Sequence, residues 1–282
     1  MSMFFIGALF FWIFSWIVNI WISKFASAQI SKILPPILFG ASLLLIWEAS
    51  IFSFEISPII LPTPSAIFFK LINSVPTLWM DFVQTFVKGA LSGYIIGCST
   101  AFGVAIFVDR FKFLERGLLP IGNFMAALPI IGIAPILVRW FGFDWESKSA
   151  VVTIMVFFPM LINTIQGLQM SDKIHRDLMQ TYNASSLQTL FKLRLAAAMP
   201  FIFNGLKICS TLALIGAIVA EFFGSPIKGM GFRISTEVGR FALDMVWAEI
   251  TIAAITGSLF YGGIVLLEKV ITFWHPSQRG RA

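Results

Sequence analysis

The run from Phe82 to Val108, FVQTFVKGALSGYIIGCSTAFGVAIFV, decides the fold class, because its only charged residue is Lys88. About 20 apolar residues in a helix are enough to cross a hydrocarbon layer roughly 30 Å thick. In lipid the backbone must satisfy its own hydrogen bonds, and a helix does so within one segment. Six further runs have the same character: Met3 to Trp21, Leu34 to Phe54, Leu118 to Phe141, Ala150 to Leu168, Pro200 to Phe223, and Trp247 to Leu267. The sequence predicts an all-α polytopic membrane protein with about seven transmembrane helices.

The composition of the whole chain supports this fold class. Of its 282 residues, 58% are hydrophobic and 12% are charged, whereas soluble domains carry about 25% charged residues. A soluble fold of this composition would expose a large apolar surface to water, so that class is excluded. The net charge of +6 is not accompanied by a basic arm, a zinc-ligand spacing or an aromatic and basic sheet pattern. We therefore expect membrane lipid as a partner and no nucleic acid.

The distribution of Lys and Arg predicts the orientation, because cytoplasmic segments retain these residues during insertion. One set of alternate segments carries 12 of the 20: Lys24, Lys32, Arg110, Lys112, Arg116, Lys173, Arg176, Lys192, Arg194, Lys269, Arg279 and Arg281. We expect a multi-pass protein of the inner (plasma) membrane, with the amino terminus outside and the carboxyl terminus in the cytoplasm. The first apolar run lacks a preceding cation and a small-residue cleavage site, so we expect a retained span.

Two segments between spans are predicted to form helices outside the bilayer. The stretch from Ser65 to Trp79 follows the turn LPTP and is amphipathic, which favours a helix at the membrane interface. After the break from Gly224 to Gly231, four apolar residues recur at helical spacing: Ile234, Val238, Phe241 and Met245. Within the spans, small residues are expected to allow close helix packing: Gly89, Gly93, Gly97 and Gly103.

The longest segment on the predicted cytoplasmic side runs from Gln169 to Met199, QMSDKIHRDLMQTYNASSLQTLFKLRLAAAM. Apolar residues at helical spacing divide it into two helical halves around Asn183. Asn tolerates the left-handed conformation better than most residues, so Asn183 is expected to end the first helix. Ser185 or Ser186 can cap the start of the second. The segment therefore predicts two short helices joined by a sharp turn.

This segment resembles a cytoplasmic pattern in permeases of binding-protein-dependent ABC importers: Glu-Ala-Ala, three residues, Gly, nine residues, Ile, one residue, Leu-Pro. The spacing is kept, with Asp177-Leu178-Met179, Asn183, Leu193 and Leu195-Ala196 at the corresponding positions. Four features depart from the pattern. Asp177 replaces the Glu, Leu178 and Met179 are larger than the two Ala residues, Asn183 replaces the Gly, and Ala196 replaces the Pro. Further blocks resemble the subgroup for sulfonates, nitrate and vitamin precursors: AAAMPFIFNGLK, IGAIVAEFFGS, LPTPSAI, WFGF and FFPMLINTIQGL.

The resemblance implies a type I ABC importer permease fold, with residues 33–282 as the permease domain and residues 1–32 as an extra span and linker. It implies that the loop docks on a separate ATPase subunit, which uses ATP and Mg, while the chain itself needs no cofactor. By position, docking is assigned to Asp177, Leu178, Met179, Tyr182, Asn183, Ala184 and Ser185. An amphipathic loop lying on the bilayer is the alternative.

The resemblance also implies an extracytoplasmic solute-binding protein and a second permease copy, as a homodimer, with alternating access driven by the ATPase. The Asp177-Leu178-Met179 block and the terminal Trp274-His275-Pro276-Ser277 resemble members that import pyrimidine-type thiamine or riboflavin precursors. We therefore expect a small polar solute as substrate. Sulfonate, taurine or nitrate is the alternative within the same class.

Polar residues inside predicted spans are candidates for the translocation pathway, because such groups are costly in lipid. We expect Glu48, Asn123, Pro129, Asn163 and Glu221 to line it. Pro129 lies in the fourth span, and a broken helix is tolerated in lipid where it lines a cavity or packs against protein. Glu221 lies near a span end, where a contact with the headgroups is the alternative.

The motifs of several other classes are absent from the sequence. There is no Gly-x4-Gly-Lys-Ser/Thr loop for ATP, and His175 and His275 lack the spacing of a metal site. We therefore expect no enzyme activity and no metal. A self-contained secondary transporter would show repeated halves and coupling carboxylates, and no internal repeat is present. A polytopic membrane enzyme would need clustered His or carboxylates at one interface.

Overall fold

A computed structural model describes residues 3–25, 30–126 and 129–274, in which every regular element is helical. The helices are α1 (Met3–Phe25), α2 (Ile30–Ser53), α3 (Pro64–Asn73), α4 (Val75–Phe82), α5 (Ser92–Arg110), α6 (Lys112–Ala126), α7 (Ile130–Phe141), α8 (Trp145–Gln169), α9 (Lys173–Thr181), α10 (Ser186–Thr189), α11 (Leu195–Glu221), α12 (Met230–Gly239) and α13 (Leu243–Ile271). Two π-helical segments, Val83–Leu91 and Leu190–Arg194, join α4 to α5 and α10 to α11.

Six helices in the described residues are long and apolar enough to cross a membrane. They are Phe4–Ile22, Ile33–Ser53, Val75–Arg110, Trp145–Gln169, Ser186–Glu221 and Leu243–Ile271. These match six of the seven predicted spans and confirm the all-α polytopic class.

The predicted fourth span, Leu118 to Phe141, is not one long helix but falls on α6 and α7. Pro129 has φ −69° and ψ 111°, an extended conformation, and precedes the first residue of α7. Proline cannot donate a backbone hydrogen bond, which explains why the helix starts anew there. The 12 residues of α7 extend about 18 Å, less than the thickness of the hydrocarbon layer.

The chain divides into two compact units, Met1–Leu78 with Ile234–Ile250 and Trp79–Arg233 with Thr251–Ala282. In the second unit, α5, α8 and α11 form the core, and small residues let them approach closely. A Cβ on Gly97 would lie 2.4 Å from Val156 Cγ2, and one on Gly167 would lie 2.8 Å from Phe201 Cβ. Close packing is confirmed at Gly97, whereas Gly103 has no neighbour within 4 Å of its ideal Cβ, so the prediction was wrong there.

Two sets of hydrogen bonds define the opposite ends of this second unit. At one end, Gln84 Nε2 donates to Asp144 Oδ1 at 2.8 Å, just before α8 begins. At the other, Arg194 joins Asp109, in the last turn of α5, to the carbonyl of Leu168, in the last turn of α8. We call them the Glu221 end and the Asp109 end, after the buried carboxylates found there.

The order of these contacts shows how the chain runs through the second unit. Helices α5 and α8 both run from the Glu221 end to the Asp109 end, because Gln84, in the π-helical segment before α5, meets the start of α8 at one end and the last turns of both helices meet at the other. The chain therefore returns across the unit between α5 and α8. The described part of this return is α6 and α7, which together replace the predicted fourth span. Helix α11 runs in the opposite direction, from Arg194 to Glu221.

In the first unit, α1 packs along α2, with the rings of Phe5 and Phe54 5.4 Å apart. The amphipathic segment predicted from Ser65 to Trp79 forms α3 and the start of α4. Thr63 caps α3 by accepting a hydrogen bond from the backbone N–H of Ala66, and Phe68 and Phe69 are exposed, as expected for an interfacial helix.

The second predicted external helix is interrupted by a turn. Ile234 and Val238 lie in α12, which ends at Gly239, and Met245 lies in α13. Between them, Phe241 has φ +60°, a left-handed conformation that ends helical periodicity.

Candidate functional site: a helical bracket and two buried charge clusters

Residues 173–189, comprising α9, α10 and the turn between them, form a structure that we call the bracket. Asp172 caps α9 by accepting a hydrogen bond from the N–H of Ile174 at 3.3 Å. Asn183 has φ +53°, which confirms the left-handed residue predicted at the end of the first helix. The next residue, Ala184, donates its N–H to the carbonyl of Met179 at 3.0 Å. The turn is therefore closed by its own backbone.

The second arm of the bracket begins with a reciprocal cap. Ser185 Oγ accepts the N–H of Gln188 at 3.2 Å, and Gln188 Oε1 accepts the N–H of Ser185 at 2.8 Å. This arrangement is a capping box, which fixes the direction in which a helix starts. Of the two serines predicted as caps, the structure selects Ser185.

The first arm of the bracket carries an exposed line of apolar side chains, which we call the apolar ridge. It consists of Ile174, Leu178 and Tyr182, which are 73%, 51% and 78% exposed. Residues four apart lie on the same face of a helix, so the three side chains form one continuous strip. Such a strip in water is typical of a surface that a partner covers.

The residues predicted to dock on an ATPase all lie in the first arm or the turn. Leu178, Tyr182, Asp177, Asn183 and Ser185 are exposed, and the remaining two, Met179 and Ala184, are half-buried. The structure thus brings the predicted set together on one short segment; their contact with another subunit stays a prediction.

Shortly after the bracket, one guanidinium ties the start of α11 to the bundle at the Asp109 end. Arg194 donates to both carboxylate oxygens of Asp109, at 2.7 and 2.6 Å. The same side chain donates to the carbonyl of Leu168 at 3.0 and 3.2 Å. We call this arrangement the Arg194 clamp; it joins the start of α11 to the last turns of α5 and α8. Two-pronged pairs of this kind fix orientation as well as distance.

At the opposite end, a buried carboxylate network holds the first residues of α12 and the loop before it. The side chain of Glu221 is fully buried and accepts the hydroxyl of Thr85, at 2.9 Å, and the N–H of Gly231, at 2.8 Å. Thr85 Oγ1 also accepts the N–H of Met230 at 2.7 Å. A Cβ on Gly231 would lie 2.2 Å from a backbone oxygen of α11, so only glycine fits there.

The same loop is held by a second carboxylate, on α4. Asp81 Oδ1 accepts the N–H of Gly229 at 2.6 Å, and Asp81 Oδ2 pairs with Arg233 Nε at 2.9 Å. At the same end of the unit, Asp144 caps α8. The Gln84 amide and the Trp145 N–H donate to its carboxylate and hold the pKa of this carboxyl below the usual value. Polar side chains thus fix the backbone at the Glu221 end of the unit.

The residues predicted to line a pathway lie in different environments. Glu48 accepts the N–H and hydroxyl of Ser65, at 3.0 and 2.6 Å, and Pro129 precedes α7. Asn163 is half-buried and accepts the amide of Asn204 at 3.0 Å. Glu221 belongs to the network above, and the side chain of Asn123 lies outside the described residues. Their role in a pathway stays a prediction.

Sequence reasoning missed the partners that fix both charge clusters. Asp109 and Arg194 are 85 positions apart, and Asp81 and Arg233 are 152 apart. The only signal was a charged side chain close to each end of an apolar run. Among the described residues, no three His, Cys, Asp or Glu side chains come together as a metal site would require.

Long apolar helices, a bracket with an exposed apolar ridge and a clamp that joins the start of α11 to the ends of α5 and α8 define a polytopic membrane protein with a helical segment outside its spans. The family model of the binding-protein-dependent transport system inner membrane component matches residues 93–273. The chain therefore belongs to this family, and it is an inner-membrane permease of an ABC importer for small solutes.

Curated relatives match along most of the chain. The formylaminopyrimidine transport permease protein ThiX of Halalkalibacterium halodurans is 30% identical over 249 residues, covering 87% of this chain and 97% of the relative. A probable ABC transporter permease protein of Haemophilus influenzae is 32% identical, with 85% and 98% covered. The putative aliphatic sulfonates transport permease protein SsuC of Bacillus subtilis is 29% identical, with 86% and 88% covered.

Proposed function

We propose that this permease imports a small polar solute, a pyrimidine-type vitamin precursor, by alternating access driven by a separate ATPase subunit. An extracytoplasmic binding protein delivers the solute, and two copies of the chain form the pathway. The observation that carries the proposal is the apolar ridge on the bracket, which is exposed although its backbone is firmly held. A rigid, exposed apolar strip favours docking on a partner over a loop that adapts to the bilayer.

The proposed orientation places the Asp109 end in the cytoplasm. Arg110, Arg176 and Arg194 belong to this end, and cytoplasmic segments are the ones enriched in such residues. In this orientation the bracket faces the compartment that holds ATP. Docking of the ATPase on the ridge would then move the first arm relative to the bundle.

The substrate class is supported by two relatives whose names concern vitamin or precursor transport. They are the formylaminopyrimidine permease described above and the riboflavin transport system permease protein RibX of Chloroflexus aurantiacus, which is 26% identical. The sulfonate alternative is supported by the sulfonate permease and by the taurine transport system permease protein TauC of Escherichia coli, also 26% identical. The formylaminopyrimidine relative is covered over 97% of its length, and for this reason the pyrimidine class is proposed first.

Docking is tested by a polar substitution on the ridge. Leu178→Asp should abolish co-purification with the ATPase subunit, because it puts a charge at the centre of an apolar contact. Val238→Asp is the matched control, since Val238 is exposed to a similar degree, 49% against 51%, but lies on α12. Equal amounts of ATPase on wild type and Leu178→Asp, with wild-type gel-filtration profiles, would refute docking through the ridge.

The substrate is tested in proteoliposomes that contain the permease, its ATPase and its binding protein. ATP-dependent uptake of labelled formylaminopyrimidine, with taurine excluded, is expected. Taurine uptake alone would assign the sulfonate class, and uptake by the permease without ATPase would make it a secondary transporter. The mass of the intact complex, measured by native mass spectrometry, should correspond to two permease copies.

A further inference from the structure

A polar cavity of about 750 Å³ lies at the Asp109 end of the second unit, between the bracket and the last turns of α5 and α8. Its lining includes three arginines, Arg110, Arg176 and Arg194, and one carboxylate, Asp109. Its volume falls within the range of about 300–1,000 Å³ that is usual for small-molecule sites. It is therefore large enough for a molecule and not only for an ion.

The first arm of the bracket presents its polar face to this cavity. Arg176 and Gln180 line the cavity, and at about 100° per residue they lie about 180° around α9 from the apolar ridge. A surface helix normally turns its apolar face to the protein and its polar face to solvent. In α9 the arrangement is reversed, so the side of the helix that faces the bundle is suited to a polar occupant.

The charges around the cavity are not balanced by the protein. Asp109 is fully engaged by Arg194 in the clamp. Arg110 and Arg176 have no carboxylate partner among the described residues, and Arg176 is half-buried. Three arginines and one aspartate leave two positive charges, on the exposed Arg110 and the half-buried Arg176, that no carboxylate of the described residues compensates.

Neutral hydrogen-bonding groups, among them Gln180, Ser186 and Thr189, line the cavity together with the apolar side chains of Ile106, Leu187 and Leu190. Arginine side chains with nearby hydroxyls and amides are the groups that bind phosphate oxygens. The cavity also lies where the helices Val75–Arg110 and Trp145–Gln169 end, which is the depth at which lipid headgroups meet a membrane protein.

We propose that this cavity binds a phosphate-bearing anion, either the headgroup of an acidic phospholipid or free phosphate, between Arg176 and Arg110. The anion balances the two unpaired cations and joins the first arm of the bracket to the end of α5. This site is distinct from the substrate pathway and uses the face of α9 opposite to the ridge. Ala184 is the one residue of the predicted docking set that also lines the cavity.

The test measures the thermal stability of the purified full-length protein in uncharged detergent. It is titrated with dioleoyl phosphatidylglycerol, dioleoyl phosphatidylcholine or inorganic phosphate. We expect saturable stabilisation by phosphatidylglycerol and none by phosphatidylcholine. Arg176→Gln and Arg110→Gln should each weaken the apparent affinity about tenfold or more, as expected for losing one charge-assisted contact.

Lys192→Gln is the matched control, because Lys192 is exposed, lies in the π-helical segment after α10 and does not line the cavity. Competition by inorganic phosphate would identify free phosphate as the ligand, and its failure to compete would identify the lipid. Equal stabilisation by both lipids, or equal effects of Arg176→Gln and Lys192→Gln, would overturn the proposal. Stabilisation only by the ATPase subunit would overturn it too, since the cavity would then be a protein interface.

Discussion

The hydrogen bonds of the Arg194 clamp should stabilise the protein cooperatively, so that removing one partner also removes the stabilisation that the other partner provides. Replacing Arg194 with Met removes all its hydrogen bonds to Asp109 and Leu168 and leaves the carboxylate unpaired. Replacing it with Lys keeps the charge, but a single ammonium cannot reach both carboxylate oxygens and the carbonyl in the planar geometry of a guanidinium.

The size of the effect follows from burial. The side chain of Asp109 is 8% exposed and that of Arg194 is 21% exposed. Removing one partner of a buried pair costs about 3–5 kcal/mol, and the partial exposure of Arg194 places Arg194→Met at about 3 kcal/mol. Arg194→Lys should cost about 2 kcal/mol, and Asp109→Asn combined with Arg194→Met should cost less than the two single variants together.

The free energy of unfolding is measured in mixed micelles by titration with sodium dodecyl sulfate. Arg240→Gln serves as the control, because the Arg240 side chain is 71% exposed and makes a single contact of 3.2 Å with Glu237, which is 12% exposed. Losing so exposed a cation should cost at most about 1 kcal/mol. Strictly additive losses at Asp109 and Arg194, or losses no larger than that of Arg240→Gln, would show that the clamp does not act as a unit. In the assembled transporter, Arg194→Met should keep the ATPase bound while reducing transport per ATP, because the ridge is untouched.

Three further outcomes are expected from single substitutions. Gly97→Ala should destabilise the protein by about 1–3 kcal/mol through overpacking, because its Cβ would lie 2.4 Å from a side chain of α8. Gly103→Ala has open space around it and should be neutral or stabilising in the titration with sodium dodecyl sulfate. Ser185→Ala should cost about 1 kcal/mol of local stability, measured as faster hydrogen exchange in α10, whereas Ser186→Ala should leave exchange unchanged. The pKa of the Asp144 carboxyl is lowered in the folded protein. Ionised Asp144 therefore stabilises the fold at pH values above its pKa in the unfolded chain, about 3.9, and this stability is lost as the pH falls through the pKa in the folded protein. The difference in Tm between wild type and Asp144→Asn should narrow below pH about 3.9 and stay constant above pH about 5.

The bracket could be predicted from sequence because local chemistry determines it. The left-handed conformation of Asn183 and the serine cap depend on a few neighbouring residues, and no distant contact is needed to form them. The long spans were predictable for a similar reason, since lipid requires long apolar helices. Pro129 gave a sign that the fourth span is unusual, but composition did not reveal that two short helices would replace one.

The clamp and the carboxylate network could not be predicted, because sequence spacing gives no information on which distant charges meet. Nor does the pattern of α9 say which face turns to the bundle. Its apolar and polar residues indicate an amphipathic helix in either orientation, and only the cavity behind Arg176 shows that the polar face is the inner one. The proposed docking gives a reason for this exception, since a helix that offers its apolar side to another subunit turns its polar side inward.

One continuous helix connects the two charge clusters. The second arm of the bracket continues through the π-helical segment Leu190–Arg194 into α11, so that helical backbone runs from Ser186 to Glu221, 36 residues or about 54 Å. Long helices kink most readily at π-helical segments and prolines, which this helix has at Leu190–Arg194 and at Pro200, so a rotation imposed on the bracket either tilts the whole helix or bends it near those residues. The Arg194 clamp holds this helix about a quarter of the way from Ser186 to Glu221, and Glu221 holds the opposite end through Thr85 and Gly231. A small tilt about the clamp would therefore be largest at Glu221, where it would pull on the loop before α12. A movement that begins at the bracket should therefore change the distances from Glu221 to Thr85 and Gly231.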